Sequence, residues 1–352
     1  MQDLRQDLDP RLNKISEFIR EALNQAPSHL EIEGDPDEET TLVLDKSLEA
    51  LEFERIPDVG FDGNVAAIDG GSAGVLFGRS FLVGAYRAGY TAFRDFTRVE
   101  EKVSPLEFEI ITKFDREKIF SEAFEKLTGQ LPSETPEMEK ILDRLRFYAE
   151  WKLADQQLDR LSAGDFLLID GSLQATLALP DSFLERMTEK ALQKKITLVG
   201  VSKSTTLYWG DKSPLIPVVV KKARSLGIDY PWFCKIGDLR SELQKSHWFG
   251  TVYIAKFKNA ADFAFRVDIN HLEQSSAEQV FGVLRYLSSD PLFLGYPYPL
   301  AATHQLARIT HTEIDDVRYR LQQKAWERGI TESDWDLLFH DFHSILNADL
   351  SH

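Results

Sequence analysis

The sequence predicts an α/β protein: a mixed β-sheet flanked by helices, with a helix ahead of it and a helical extension behind it. Three observations carry that expectation. A glycine-bearing run from Val65 to Phe93 has strand character and no helical spacing. Two short apolar strands, one ending at Asp170 and one at Val201, enclose a helix from about Ser182 to Lys194. Between these two groups lies an amphipathic helix. Strands come first and βαβ units follow, an order that suits a mixed sheet with helices packed on it.

In chain order, Asp9-Pro10 supplies an N-cap and a first helical residue, and Leu12, Ile15, Phe18, Ile19, Ala22 and Leu23 then recur at helical spacing. The acidic stretch that follows holds Gly34, Asp35 and Pro36 and reads as a loop or mobile insert. Val65 to Tyr90 reads as an antiparallel meander, and Phe108 to Thr112 adds a strand. Thr135-Pro136 opens a helix with Ile141, Leu142, Leu145, Tyr148, Ala149 and Leu153 along one face. The expected organisation is an N-terminal helix and acidic arm over 1–62, a central α/β domain over 63–310 and C-terminal helices over 311–352.

Charge is unevenly spread. The net charge of −16 argues against a nucleic-acid partner at first sight. Residues 31–62, however, hold twelve acids and two bases, while residues 194–266 hold thirteen bases and five acids. The basic stretch also carries Tyr208, Trp209, Tyr230, Trp232, Phe233, Trp248, Phe249, Tyr253 and Phe257. It is the expected nucleic-acid face, with Lys203, Lys221, Lys222 and Arg224 on phosphates and exposed aromatics on unpaired bases. The alternative is that the aromatics are core. One cysteine, Cys234, excludes an internal disulfide and a cysteine-rich zinc site. No run approaches the roughly 18 apolar residues of a membrane span, and the polar start Met1-Gln2-Asp3-Leu4-Arg5 lacks the apolar core of a signal peptide. The expected location is cytoplasmic, with no membrane partner.

The chemistry is carried by two turns of one type. Val65-Ala66-Ala67-Ile68-Asp69-Gly70-Gly71-Ser72 and Phe166-Leu167-Leu168-Ile169-Asp170-Gly171-Ser172 each end an apolar run in a carboxylate, where glycine lets the chain turn away. The helix between them offers Glu150. Carboxylates converging from strand ends and a helix can hold divalent metal for phosphoryl transfer, with two ions about 4 Å apart stabilising the attacking and leaving oxygens. His304 is a candidate metal ligand or proton shuttle. Tyr296 is a candidate phosphate or base contact, Lys203 a candidate neutraliser of the scissile phosphate, and Asp268 a further candidate ligand. His340 and His343, at i and i+3, read as a plain helix face.

Asp69-Gly70-Gly71-Ser72, Glu150, Asp170-Gly171-Ser172-Leu173, Val201-Ser202-Lys203-Ser204 and Gly295-Tyr296-Pro297-Tyr298-Pro299-Leu300 through His304 and Ala307-Arg308-Ile309 stand in the order found in the NurA nuclease family. The chain resembles that family from roughly Val65 to Ile309, the tail segment being the most distinctive piece. The resemblance implies a ribonuclease H-like core and makes 63–310 the nuclease domain. It also implies a manganese-dependent DNA nuclease, with magnesium as the alternative metal and two ions in the site. The implied activities are 5′ to 3′ degradation of DNA ends and cutting of single strands, in end resection for recombinational repair. The implied partners are a second copy of the chain and a hexameric HerA-type translocase; the apolar stripe Leu12, Ile15, Ile19 and Leu23 makes the N-terminal helix the candidate contact element, the alternative being that it packs on its own domain. Asp69, Glu150 and Asp170 match the family's metal carboxylates, and Tyr296 and His304 its tail pair.

Two other classes fit parts of the pattern. An actin-like or sugar-kinase-like ATPase shares the core, and Ile68-Asp69-Gly70-Gly71-Ser72-Ala73-Gly74 resembles its phosphate-gripping turn. No adenosine-binding glycine motif accompanies it near the C-terminus. A non-catalytic DNA-end adaptor would not need every acidic position in place.

Overall fold

The computed structural model describes residues 30–33, 41–44, 47–78, 80–205, 207–209, 213–238 and 247–339. In chain order the strands are β1 (Leu30–Glu33), β2 (Thr41–Leu44), β3 (Glu54–Arg55), β4 (Asn64–Phe77), β5 (Phe81–Arg94), β6 (Thr97–Val103), β7 (Glu107–Thr112), β8 (Phe166–Asp170), β9 (Thr197–Ser202), β10 (Tyr208–Trp209), β11 (Ser213–Pro214), β12 (Trp232–Asp238), β13 (Gly250–Lys256) and β14 (Phe265–Asn270). The described helices are α1 (Arg116–Thr128), α2 (Met138–Arg160), α3 (Asp181–Lys194), α4 (Leu215–Ser225), α5 (Ala277–Leu287), α6 (Tyr298–Ala307), α7 (His311–Glu327) and α8 (Glu332–Phe339). Helices flank mixed β-sheet, so the fold is of the predicted α/β class. The chain divides into two compact units, one within 1–65, 94–96 and 161–298, the other within 66–93, 97–160 and 299–352.

In the first unit the strands run in the order β3-β12-β13-β14-β9-β8. The β8-α3-β9 crossover makes β8 and β9 parallel, with Phe166 opposite Thr197 and Asp170 opposite Val201, and the other pairs are antiparallel. Pleating sends alternate side chains to opposite faces. Trp232, Cys234 and Ile236 pack with Trp209, Leu215 and Val219 under α4. Phe233 points the other way and stacks on Phe281 of α5, ring centroids 4.3 Å apart. A strand covered on both faces needs apolar residues at every position. The reading of the aromatics as core holds for Trp209, Trp232, Phe233, Trp248, Tyr253 and Phe257, which are all buried.

In the second unit β5 lies between β4 and β6 and also pairs with β7, Phe81 opposite Thr112 and Tyr86 opposite Glu107. Leu82 and Ile111 meet Phe120, Phe124, Ile141 and Leu145 of α1 and α2. Val75 and Ala85 meet Ile314 of α7. That helix opens on a capping box in which Thr310 and Glu313 satisfy each other's backbone N–H groups.

Several boundaries differ from expectation. Thr135-Pro136 precedes the helix, which begins at Met138, because proline and the residue before it favour extended backbone. The acidic arm is not all loop: β1 pairs β2, β3 pairs β12, and Leu48, Leu51 and Ile56 are buried. The predicted N-terminal helix, and His340 and His343, lie outside the described residues. No helix among the described residues is long and apolar enough to cross a membrane.

Candidate active site

In the second unit, β4 carries Asp69 in a buried position, 4% exposed. Its Oδ1 accepts the Gly70 N–H at 2.7 Å, and its Oδ2 lies 2.8 Å from Nδ1 of His304 on α6. That bond leaves the other ring nitrogen, Nε2, for a second partner. Glu150 on α2 is also 4% exposed and pairs with Arg146, one turn earlier on the same helix. Burial disfavours charge on Arg146, but Glu150, Asp143 and Asp69 outweigh it and hold the guanidinium above its ordinary pKa.

The two glycines after Asp69 are there for close approach. A Cβ at Gly70 would collide with the Glu150 carboxylate. At Gly71 it would sit 2.6 Å from the Ala307 carbonyl oxygen and 3.1 Å from the Ile309 nitrogen. Asp69 does not end its strand, as the sequence suggested: β4 continues through both glycines to Phe77, Gly70 admitting Glu150 beside the strand and Gly71 admitting the segment that follows the helix of His304. Arg87 on β5 ties down the same segment, donating to the Ala307 carbonyl at 2.9 Å and pairing with Glu313 at 2.8 Å. The backbone N–H of Thr310 and the Arg87 guanidinium hold the Glu313 carboxyl below its ordinary range.

In the first unit, Asp170 ends β8 and Gly171, with φ of +148°, turns the chain away. Lys203, just past β9, reaches Asp170 Oδ2 at 2.5 Å. The Tyr296 hydroxyl lies 3.5 Å from Asp170 Oδ1, and the Lys203 ammonium sits 5.6 Å from the Tyr296 ring centroid. Gly295, φ +84°, makes the turn that delivers Tyr296, whose ring rests on Phe265 at 5.1 Å. This cluster unites an acceptor, a cation and a hydroxyl that the sequence scatters over 126 positions.

Asp268 does not join it as a free ligand. It is fully buried, both oxygens are taken by Arg266 at 2.7 Å, and Oδ2 also accepts the Leu173 N–H at 3.0 Å. A carboxylate so engaged is a structural anchor for the loop after Asp170. The predicted phosphate contacts stand on α4, where Lys221 and Arg224 are exposed and Lys222 pairs with Glu49 at 3.6 Å. Burial, and after it the nearby Arg224, lowers the pKa of Lys256.

Sequence reading missed Arg146, Arg87 and Arg266. The first is legible after the fact as the i−4 neighbour of Glu150, and the third as the i−2 neighbour of Asp268 on one face of a strand.

A family model for the NurA domain matches residues 63–309. The crystal structure of the NurA nuclease from Sulfolobus solfataricus is similar with a TM-score of 0.53 at 14% identity, covering 93% of this chain and 98% of that one. A crystal structure of NurA with manganese has a TM-score of 0.45 at 8% identity, covering 74% and 88%. Ciona intestinalis Endonuclease V in complex with inosine-containing DNA has a TM-score of 0.39 at 11% identity, covering 87% and 99%. A search of the curated proteins found no match.

Proposed function

The chain belongs to the NurA family of nucleases, and on that premise we propose that it hydrolyses the phosphodiester bonds of DNA with the help of a bound divalent metal. The observation that supports this best is the pair of aspartates, each with its own chemistry around it: Asp69 with His304, and Asp170 with Lys203 and Tyr296. On the family resemblance, Asp69, Asp170 and His304 would hold the ion, with Glu150 as a further carboxylate. Two carboxylates and an imidazole are a donor set that suits manganese and tolerates magnesium. When bound, the metal would stabilise the charge that develops on the scissile phosphate.

The side chains then divide the work. His304 is held through Nδ1 by Asp69, which leaves Nε2 as its ligand atom for the ion. Lys203 neutralises the phosphate, and the Tyr296 hydroxyl donates to one of its oxygens. The finer activity is 5′ to 3′ degradation of ends with single-strand cutting, during end resection. Its partners are a second copy and a HerA-type translocase. These rest on the family alone, and elution of the chain as a dimer that captures a HerA hexamer is the check on them.

The deciding experiment incubates the purified protein with end-labelled single- and double-stranded DNA in Mn²⁺, Mg²⁺ or EDTA. Cleavage is expected with metal and not with EDTA. Intact DNA in every metal, or ATP turnover without DNA, would overturn the proposal.

We further place much of the DNA-binding surface on the basic stretch around α4. Replacing Lys221, Lys222 and Arg224 together by Ala should weaken DNA binding about tenfold or more and flatten its dependence on salt. Each phosphate that is no longer neutralised lowers the slope of log K against log salt by about 0.9. Unchanged affinity with an unchanged slope would move the DNA path elsewhere.

A further inference from the structure

We propose that Arg87 is a positioning residue for His304: by capping the end of α6 it sets where that helix stands on β4, and so holds the imidazole against Asp69. This rests on His304 being a metal ligand. The residues concerned all belong to the second unit. His304 needs such support because packing does not supply it. Its side chain is 46% exposed, and the bond to Asp69 at 2.8 Å is the ring's one hydrogen bond among the described residues. A metal ligand must be held to within about 0.5 Å, whereas slippage of a helix by one residue is a shift of about 1.5 Å. The position of His304 is therefore decided by what holds α6.

The helix is berthed on two neighbouring strands, β4 and β5. On β4, residues 67, 69 and 71 share a face and meet residues 303, 304 and 307 of α6. The Ala67 carbonyl accepts from Thr303 at 3.3 Å, Asp69 holds His304, and Gly71 leaves room for the Ala307 carbonyl. On β5, Thr91 bonds to the Thr303 hydroxyl at 2.5 Å and donates to the Pro299 carbonyl at 3.1 Å. Thr91 thus fixes the first turn of α6. Arg87, four residues earlier on the same face of the strand, fixes its end.

The last carbonyls of a helix have no partner within it, and a cation there complements the helix dipole. Arg87 supplies both needs. Its Nε donates to the Ala307 carbonyl at 2.9 Å, and Nη2 donates to the Arg308 carbonyl. The Arg308 N–H in turn donates to the His304 carbonyl at 2.9 Å, so a single residue links the guanidinium to the backbone of His304. The far side of the guanidinium holds Glu313 at 2.8 and 3.3 Å, and Glu313 is fixed by the capping box of α7. Arg87 therefore ties the end of one helix to the start of the next. These bonds engage all three of its side-chain nitrogens, so it acts through His304 and not on a phosphate.

The test measures Mn²⁺ binding by the full chain without DNA, from the electron paramagnetic resonance signal of the free ion. It compares the parent with Arg87→Lys, His304→Ala and the double variant. Arg87→Lys keeps the charge but loses the planar fork that serves two carbonyls and a carboxylate, and should weaken Mn²⁺ binding about tenfold. His304→Ala should weaken it at least as much. The double variant should bind no more weakly than His304→Ala alone, because a residue that acts through His304 then has nothing left to position. A merely structural Arg87 would lower the melting temperature and leave the affinity of the folded molecules unchanged. Glu313→Gln loosens the guanidinium from its other side. It should weaken binding a few-fold, again only while His304 is present, and it decides the matter if Arg87→Lys does not fold. Parental affinity in the folded variants of Arg87 and Glu313, or losses that add to that of His304→Ala, would overturn the proposal and leave His304 a ligand. No binding by the parent, or parental affinity in His304→Ala, would overturn it together with the metal site.

Discussion

Asp69→Asn and Asp170→Asn should each abolish DNA hydrolysis while leaving the protein folded. The expected loss is at least about 10²-fold in rate, equivalent to about 2.7 kcal/mol of transition-state stabilisation, since a bound metal supplies several kcal/mol. Both substitutions are conservative in shape. The Asp69→Asn side chain retains one acceptor oxygen, enough for Nδ1 of His304 at 2.8 Å but not also for the Gly70 N–H at 2.7 Å, so His304 keeps its orientation while the loss of one buried hydrogen bond lowers the melting temperature. Asp170→Asn removes the charge facing Lys203, a partly exposed pair with side chains 16% and 43% exposed, and an ion pair that water still reaches contributes about 1 kcal/mol. Folding is read by circular dichroism and thermal melting, and cleavage by the release of end label in Mn²⁺. If either folded variant cut DNA at near the parental rate, that aspartate would leave the metal set. If both did, the metal centre would lie elsewhere.

The two aspartates are legible in the sequence because each interrupts an apolar run and is followed by glycine, but the combination marks a strand end only at Asp170. At Asp69 the strand continues to Phe77, and the two glycines serve close packing instead of a turn: Gly70 faces the Glu150 carboxylate and Gly71 faces the backbone of 307–309. The Asp-Gly-Gly segment and the tail segment are thus two sides of one packing contact, and they occur together in the sequence for a steric reason. The exposure of the aromatics is not legible. Trp232, Phe233 and Cys234 are consecutive and all buried, since β12 is covered on both faces, and such a strand loses the alternation from which exposure is read. In the acidic arm, charge count conceals apolar spacing: Leu48, Leu51 and Ile56 are buried in a stretch dominated by Asp and Glu. Asp268 misleads for a related reason. A lone carboxylate in an apolar strand looks like a ligand until its neighbour two positions away is seen to share its face.

That neighbour yields the second large effect. Arg266→Met should lower stability by about 3–5 kcal/mol, because it leaves Asp268 buried and uncompensated, and the melting temperature should fall by roughly 10 °C. The magnitude follows from burial: the Arg266 side chain is 4% exposed and that of Asp268 0%, so water cannot replace the missing partner. Asp268→Asn should be costly for the converse reason, since it strands the guanidinium. Combining Arg266→Met with Asp268→Asn removes both charges and keeps an oxygen for the Leu173 N–H. The pair should therefore recover much of the stability that either single change loses. Activity separates this reading from a metal-ligand role for Asp268. Assayed well below its melting temperature, folded Asp268→Asn should cut DNA within a few-fold of the parent, since the loop after Asp170 keeps its anchor. A loss of about 10²-fold per folded molecule, equal to that expected for Asp170→Asn, would return Asp268 to the metal site. Additive single effects on stability, with no recovery in the double variant, would show that the two charges do not depend on each other.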